Sequence, residues 1–178
     1  MLLLKRLVIG LCIALVALYV IGMVLPSKYT LERSVVIEAP ASAIYDQVVD
    51  LRQWKTWGVW FKRDPDMTVS YSGPDRAVGM RSEWQSETQG NGAMEITDLQ
   101  HDKRIEYRIM FPDMDMQSTG TLLFEEVSQG VKVTWMDSGD VGDSVIYRYF
   151  GLFMDNLVGP DFEAGLANLK VVSENLPR

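Results

Sequence analysis

The sequence is short of the residues that most often carry chemistry. Its 178 residues hold one cysteine, Cys12, and one histidine, His101. A single cysteine excludes a disulfide framework and a cysteine-based zinc site. Positive charge is also scarce: 17 Lys+Arg stand against 24 Asp+Glu. Without a basic cluster there is no Lys/Arg footprint for phosphates, which excludes a nucleic-acid partner. No P-loop, dinucleotide fingerprint, G-x-S-x-G or H-E-x-x-H motif occurs, and nothing calls for a metal or another cofactor.

What is present is unevenly spread. Apolar residues make up 47% of the chain but crowd its start. Leu7–Leu25 (LVIGLCIALVALYVIGMVL) has no charged residue, and its nineteen residues would span roughly 28 Å as a helix, close to the ~30 Å hydrocarbon layer. A secretory signal peptide is the rival reading, since Lys5 and Arg6 precede the run. The run is longer than the usual ~7–15-residue signal core, however, and no small-x-small site follows. We therefore expect an uncleaved transmembrane anchor in residues 1–28 and a separate domain in residues 29–178. Cys12 reads as a small lipid-facing residue. Lys5, Arg6 and the α-amino group outweigh Lys28 and Arg33, so the single-pass chain should place its domain outside the cytoplasm, periplasmic if bacterial. Beyond Pro26 lie all 24 acids and 15 bases, a formal charge of −9.

The domain opens with a β-branched segment, Tyr29–Glu38, stopped by Ala39-Pro40. Ile44, Val48 and Leu51 then recur at helical spacing, and a second short helical turn carries Trp54 and Trp57 up to Gly58. From Met67 the pattern becomes short strands separated by turn residues: Met67–Tyr71, Met80–Ser86, Ala93–Leu99, Arg104–Phe111, Gln117–Val127 and Val131–Met136. Ile105, Tyr107, Ile109 and Phe111 alternate with Glu106 and Arg108, as half-buried strands do, and the hairpin-length turns imply an antiparallel meander. Ser144–Asn175 returns to helical spacing, with one stripe of Ile146, Phe150, Phe153, Met154 and Leu157 and another of Phe162, Leu166, Leu169 and Val172. Gly159-Pro160 between them leaves one kinked helix or two in series.

Several segments in this order carry a resemblance: Val36-Ile37-Glu38-Ala39-Pro40, Asp50-Leu51-Arg52-Gln53-Trp54-Lys55-Thr56-Trp57, Gly79-Met80-Arg81, Gly130-Val131-Lys132-Val133-Thr134-Trp135 and Gly165-Leu166-Ala167-Asn168-Leu169-Lys170. Over about Tyr29–Glu174 the chain resembles the SRPBCC superfamily, which includes START and birch-pollen-allergen-like domains, and within it the polyketide cyclase/dehydrase branch. The resemblance implies an α+β helix-grip fold: a curved antiparallel sheet of about six to seven strands around a long C-terminal helix, here with an N-terminal transmembrane helix added. It also implies a cavity between sheet and helix for a small hydrophobic or lipid-like ligand.

Trp84, Tyr107, Phe111, Trp135, Phe150, Phe153 and Met154 are the expected cavity lining, although the same residues would equally fill an ordinary core. Trp54 and Trp57, with Trp60, form a lip over the cavity mouth, touch lipid headgroups, where Trp is favoured, or plug the end of the sheet. If the domain is instead a cyclase or dehydrase, Arg81, Glu83 and Tyr107 are the candidate catalytic residues, the first two as a cation–carboxylate pair on one strand face. The commoner reading of that pair is a solvated face. His101 reads as an exposed turn residue. Asp113, Asp115, Asp137, Asp140 and Asp143 lack the spacing of a calcium loop and read as solvated turns. The expected function is a membrane-anchored binder of a hydrophobic ligand, with an enzyme and a protein-interaction module of the cell envelope as alternatives. Protein partners are not legible.

Overall fold

The computed structural model describes residues 2–114 and 116–176. The first 23 of them, α1 (Leu2–Val24), are helical and almost wholly exposed. The helix is long and apolar enough to cross a membrane, a test that a signal sequence also passes. Seven strands follow: β1 (Lys28–Ile37), β2 (Thr68–Ser72), β3 (Arg81–Gln85), β4 (Gly92–Gln100), β5 (Arg104–Phe111), β6 (Met116–Val127) and β7 (Gly130–Asp140). They form one sheet in the order β1-β7-β6-β5-β4-β3-β2, antiparallel throughout. With α5 (Val145–Glu174), this is the expected α+β arrangement.

β1 and β2 occupy opposite edges, so the chain between them must cross the whole sheet, roughly 29 Å at about 4.8 Å per strand. It does so through α2 (Ala41–Val49), α3 (Trp54–Trp57) and α4 (Val59–Arg63). The first two were expected; α4 was not, because Gly58 reads as a stop. Pro40 begins α2, where its missing N–H costs nothing. At the other end of α2 the orphan carbonyls of Gln47 and Val48 accept from the indole N–H groups of Trp57 (3.1 Å) and Trp54 (2.8 Å). Two buried polar atoms and two helix-end carbonyls are satisfied by the same contacts.

α5 is one helix, continuous through Pro160. Ser144 caps it, accepting from the Tyr147 backbone N–H. It packs chiefly along β1, where Arg33 reaches Asp155 (2.8 Å) and Glu163 (2.6 Å) and Lys170 donates to the Val36 carbonyl (2.7 Å). Phe162, Leu166 and Leu169 close onto Trp135, Trp57 and their neighbours to form the core. The Trp135 and Phe162 rings stack at 3.9 Å.

Candidate ligand-binding site

The pleat decides which side chains face the interior. In β7 the odd-numbered residues Val131, Val133, Trp135 and Asp137 are buried. The register carries that face across the sheet: one row runs Leu31, Asp137, Gly120, Tyr107, Ile96, and the next Tyr29, Gly139, Ser118, Ile109, Met94. Tyr107 stands opposite Gly120 and Tyr29 opposite Gly139, and a Cβ on either glycine would strike the facing ring. The glycines thus let both rings lie along the sheet instead of standing up from it. Less of the space above the strands is filled as a result.

The concave face has two ends. At one, Trp54 and Trp57 meet Trp135 at ring separations of 5.6 and 5.5 Å, and Trp54 meets Tyr107 at 5.5 Å. Trp54 and Trp57 are buried there, so they plug the sheet. Trp135 Nε1 donates to Tyr107 Oη at 2.8 Å. At the other end Tyr29, Trp84, Ile109 and Phe111 are only half-buried, with Trp84 and Phe111 edge-to-face at 6.0 Å. Because α5 follows β1, it leaves this end uncovered. An open cleft of about 840 Å³ touches Tyr29, Ser118 and Gly139 but is lined chiefly by the outward row Thr30, Ser138, Thr119 and Arg108 on the other face of the sheet, and one of about 220 Å³ lies beside Phe111 and Met116.

A buried carboxyl group sits between the two ends. Asp137 is 7% exposed; Ser118 Oγ donates to its Oδ2 at 2.9 Å, and the Tyr29 hydroxyl bonds it as well. Burial pushes the Asp137 pKa up, and the two hydroxyl donors offset only part of that. Burial also raises the Tyr29 and Tyr107 phenols, with the Asp137 charge adding to the shift in both. Both phenols therefore stay protonated as donors or acceptors at neutral pH. The site offers an apolar floor with one hydrogen-bonding carboxyl–hydroxyl group at its base.

The expectation that Asp137 lies in a solvated turn is corrected. β7 runs to Asp140 rather than Met136, so the inward alternation continues past Trp135 through Asp137. That alternation, read two residues further, was the available signal. Asp113, Asp140 and Asp143 are exposed as expected, while Asp115 lies outside the described residues. His101 is exposed in the β4–β5 turn, its ring 5.1 Å from that of Tyr45. Among the described residues no three His, Cys, Asp or Glu side chains converge as metal ligands do.

The remaining expected site residues divide. Tyr107 and Trp135 lie on the concave face. Arg81 and Glu83 share the opposite, convex face, where Arg81 pairs with Glu83 (2.8 Å) and Glu95 (3.3 Å). Met154 is half-buried. Phe150 and Phe153 are 54% and 56% exposed and turned away from the sheet.

A seven-stranded antiparallel sheet gripped by one long helix, with a partly open concave face, defines a helix-grip domain of the SRPBCC type. The chain belongs to the polyketide cyclase/dehydrase and lipid transport family, whose model matches residues 28–174. Solved structures share the fold. A Thermobifida fusca protein aligns with TM-score 0.64 and 18% identity over 84% of this chain and 95% of its own. A Chromobacterium violaceum protein gives 0.56 and 18% over 83% and 98%. The di-domain ARO/CYC BexL of the BE-7585A biosynthetic pathway gives 0.59 and 20% over 85% of this chain but 52% of that protein, so the chain spans about half of it. At these identities the likeness is one of fold. No curated protein matches the chain.

Proposed function

We propose that the chain is a membrane-anchored binding domain, with residues 1–28 as the anchor and residues 29–178 as a domain outside the cytoplasm. It takes a small hydrophobic or lipid-like ligand at the open end of the concave face. The ligand's apolar part packs on Trp84, Ile109 and Phe111, and a single polar group meets Tyr29, Ser118 and Asp137. The observation that carries this reading is the buried, hydroxyl-bonded Asp137 carboxyl beneath a half-open apolar surface, because a polar group held dry costs free energy unless something specific uses or satisfies it. The family's association with lipid transport supports it. The charge bias around α1 supports the sidedness.

Titration of the full chain in nanodiscs with cis-parinaric acid tests the proposal. Saturable binding is expected, weakened by Asp137→Ala and blocked by Ile109→Trp, which fills the groove. Equal probe uptake by all three proteins and by empty nanodiscs would overturn it.

A further inference from the structure

A second apolar surface is left unused by the ligand site. Ile146, Phe150, Phe153 and Leu157 recur at intervals of four, three and four residues and so share one face of α5. Each is about half exposed or more. At about 100° per residue, that face is turned roughly 160° from the one bearing Phe162, Leu166 and Leu169. The sheet therefore cannot cover it. Four large apolar side chains in an exposed row mark a contact surface.

The flank of α5 beside this row is already occupied by α1. Tyr149 Oη donates to the Leu18 carbonyl at 2.6 Å, and Arg148 Nη1 donates to the Met23 carbonyl at 2.6 Å. Gly22 is buried against Val145 and Tyr149, and a Cβ at that position would strike both. Leu18 lies six residues before Val24, the end of α1, which is about 9 Å of helix rise. The first turns of α5 therefore stand level with the last turns of the apolar helix, not above them. Tyr149 presents an aromatic ring with a polar tip at that level, the type of side chain favoured at a membrane–water boundary. The Arg148 guanidinium turns instead to the terminal carbonyls of α1 and to Asp143, as a cation at that boundary does.

We infer that the Ile146–Phe150–Phe153–Leu157 face beds into the outer layer of the same bilayer that α1 spans, with lipid as its occupant. This rests on the anchor reading above. The row continues directly from the lipid-facing surface of α1, so one bilayer covers both without a further partner. The Ser27 carbonyl accepts from the Val141 N–H at 2.9 Å, which ties the end of β7 to the end of α1. The open end of the concave face, near Tyr29 and Gly139, is thereby held at the lipid surface.

The test uses the full chain in phosphatidylcholine vesicles containing a 5-doxyl phosphatidylcholine quencher. In a Cys12→Ala background, Phe150→Cys and Phe153→Cys are labelled with the fluorophore NBD. Lys103→Cys in the β4–β5 turn is the aqueous control, and Cys12 of the otherwise unaltered chain reports on the anchor. Blue-shifted emission and loss of most of the signal to doxyl lipid are expected at 12, 150 and 153, but not at 103. Quenching at 12 with water-like, unquenched emission at 150 and 153 overturns the inference and leaves the anchor standing. Absence of quenching at 12 as well removes the anchor reading itself. Blue-shifted but unquenched labels at 150 and 153 assign the face to a second copy of the chain instead, and overturn the inference too.

Discussion

The two halves of α5 each carry an apolar stripe, and the stripes have opposite fates. After Gly159, Phe162, Leu166 and Leu169 are 4%, 1% and 0% exposed. Before it, Phe150 and Phe153 stand more than half exposed in the same continuous helix. The half richer in apolar residues is the exposed one, so composition does not decide burial; phase does. Phe150 and Phe162 are twelve residues apart, three and a third turns, so they point about 120° away from each other. A helix laid along one strand can bury one of those directions. The difference teaches that an apolar stripe states that a helix has a partner without stating which partner.

Phe162→Ala is the change that breaks the buried half most severely. It removes the ring stacked on Trp135 and leaves a cavity, so about 3–5 kcal/mol of stability should be lost, measured by denaturant unfolding of the full chain in detergent. Phe153→Ala in the other half should cost under about 0.5 kcal/mol in the same experiment, because detergent or solvent already surrounds the ring. Similar losses for the two variants would end the distinction between the halves.

Next in size is Gly120→Ala, beneath the plugged end. The added methyl must displace the Tyr107 ring and strain its bond from Trp135. Overpacking of this kind costs about 1–3 kcal/mol, and the tryptophan emission should change with it. A neutral result would mean that the ring does not lie over the glycine.

The open end is probed by pH. Asp137 has a raised folded-state pKa, so its contribution to stability is fully present below the ordinary aspartate value of about 3.8. That contribution declines as pH rises from there through the higher folded value. Carboxyl-detected NMR should place the Asp137 midpoint above that of Asp140, which the Gly142 N–H holds low. An Asp137 midpoint at or below 3.8 would show the carboxyl to be solvated. The smallest effect is expected for Arg33→Ala. Its bonds to Asp155 and Glu163 are surface pairs, so the loss should be slight and should vanish in about 1 M salt, where screening acts over ~3 Å.

Much of this architecture was legible in local patterns. Strand alternation places Tyr107 and Trp135 on the inner face, and the order of the motifs carries the resemblance to the family. The functional centre was not legible in the same way. Ser118, Tyr29 and Asp137 are separated by long stretches of chain, and only the β1–β7–β6 register brings them together. Asp137 escapes local reading because β7 continues past Met136 to Asp140. The outward turn of Phe150 is legible in its twelve-residue spacing to Phe162, which sets the two rings on different faces of the helix.

The sequence by itself determined an apolar helix of membrane length, an acidic α+β domain and the alternation of every long strand. These follow from short-range chemistry: helix rise, pleat period, and the φ limits at proline and glycine. Tertiary structure alone decided that Trp54 and Trp57 close one end of the sheet, that Tyr29 and Ser118 hold a buried Asp137, and that α5 presents half of its apolar surface outward beside α1. Periodicity sets which side chains share a face, but which face is buried depends on contacts between residues more than a hundred positions apart.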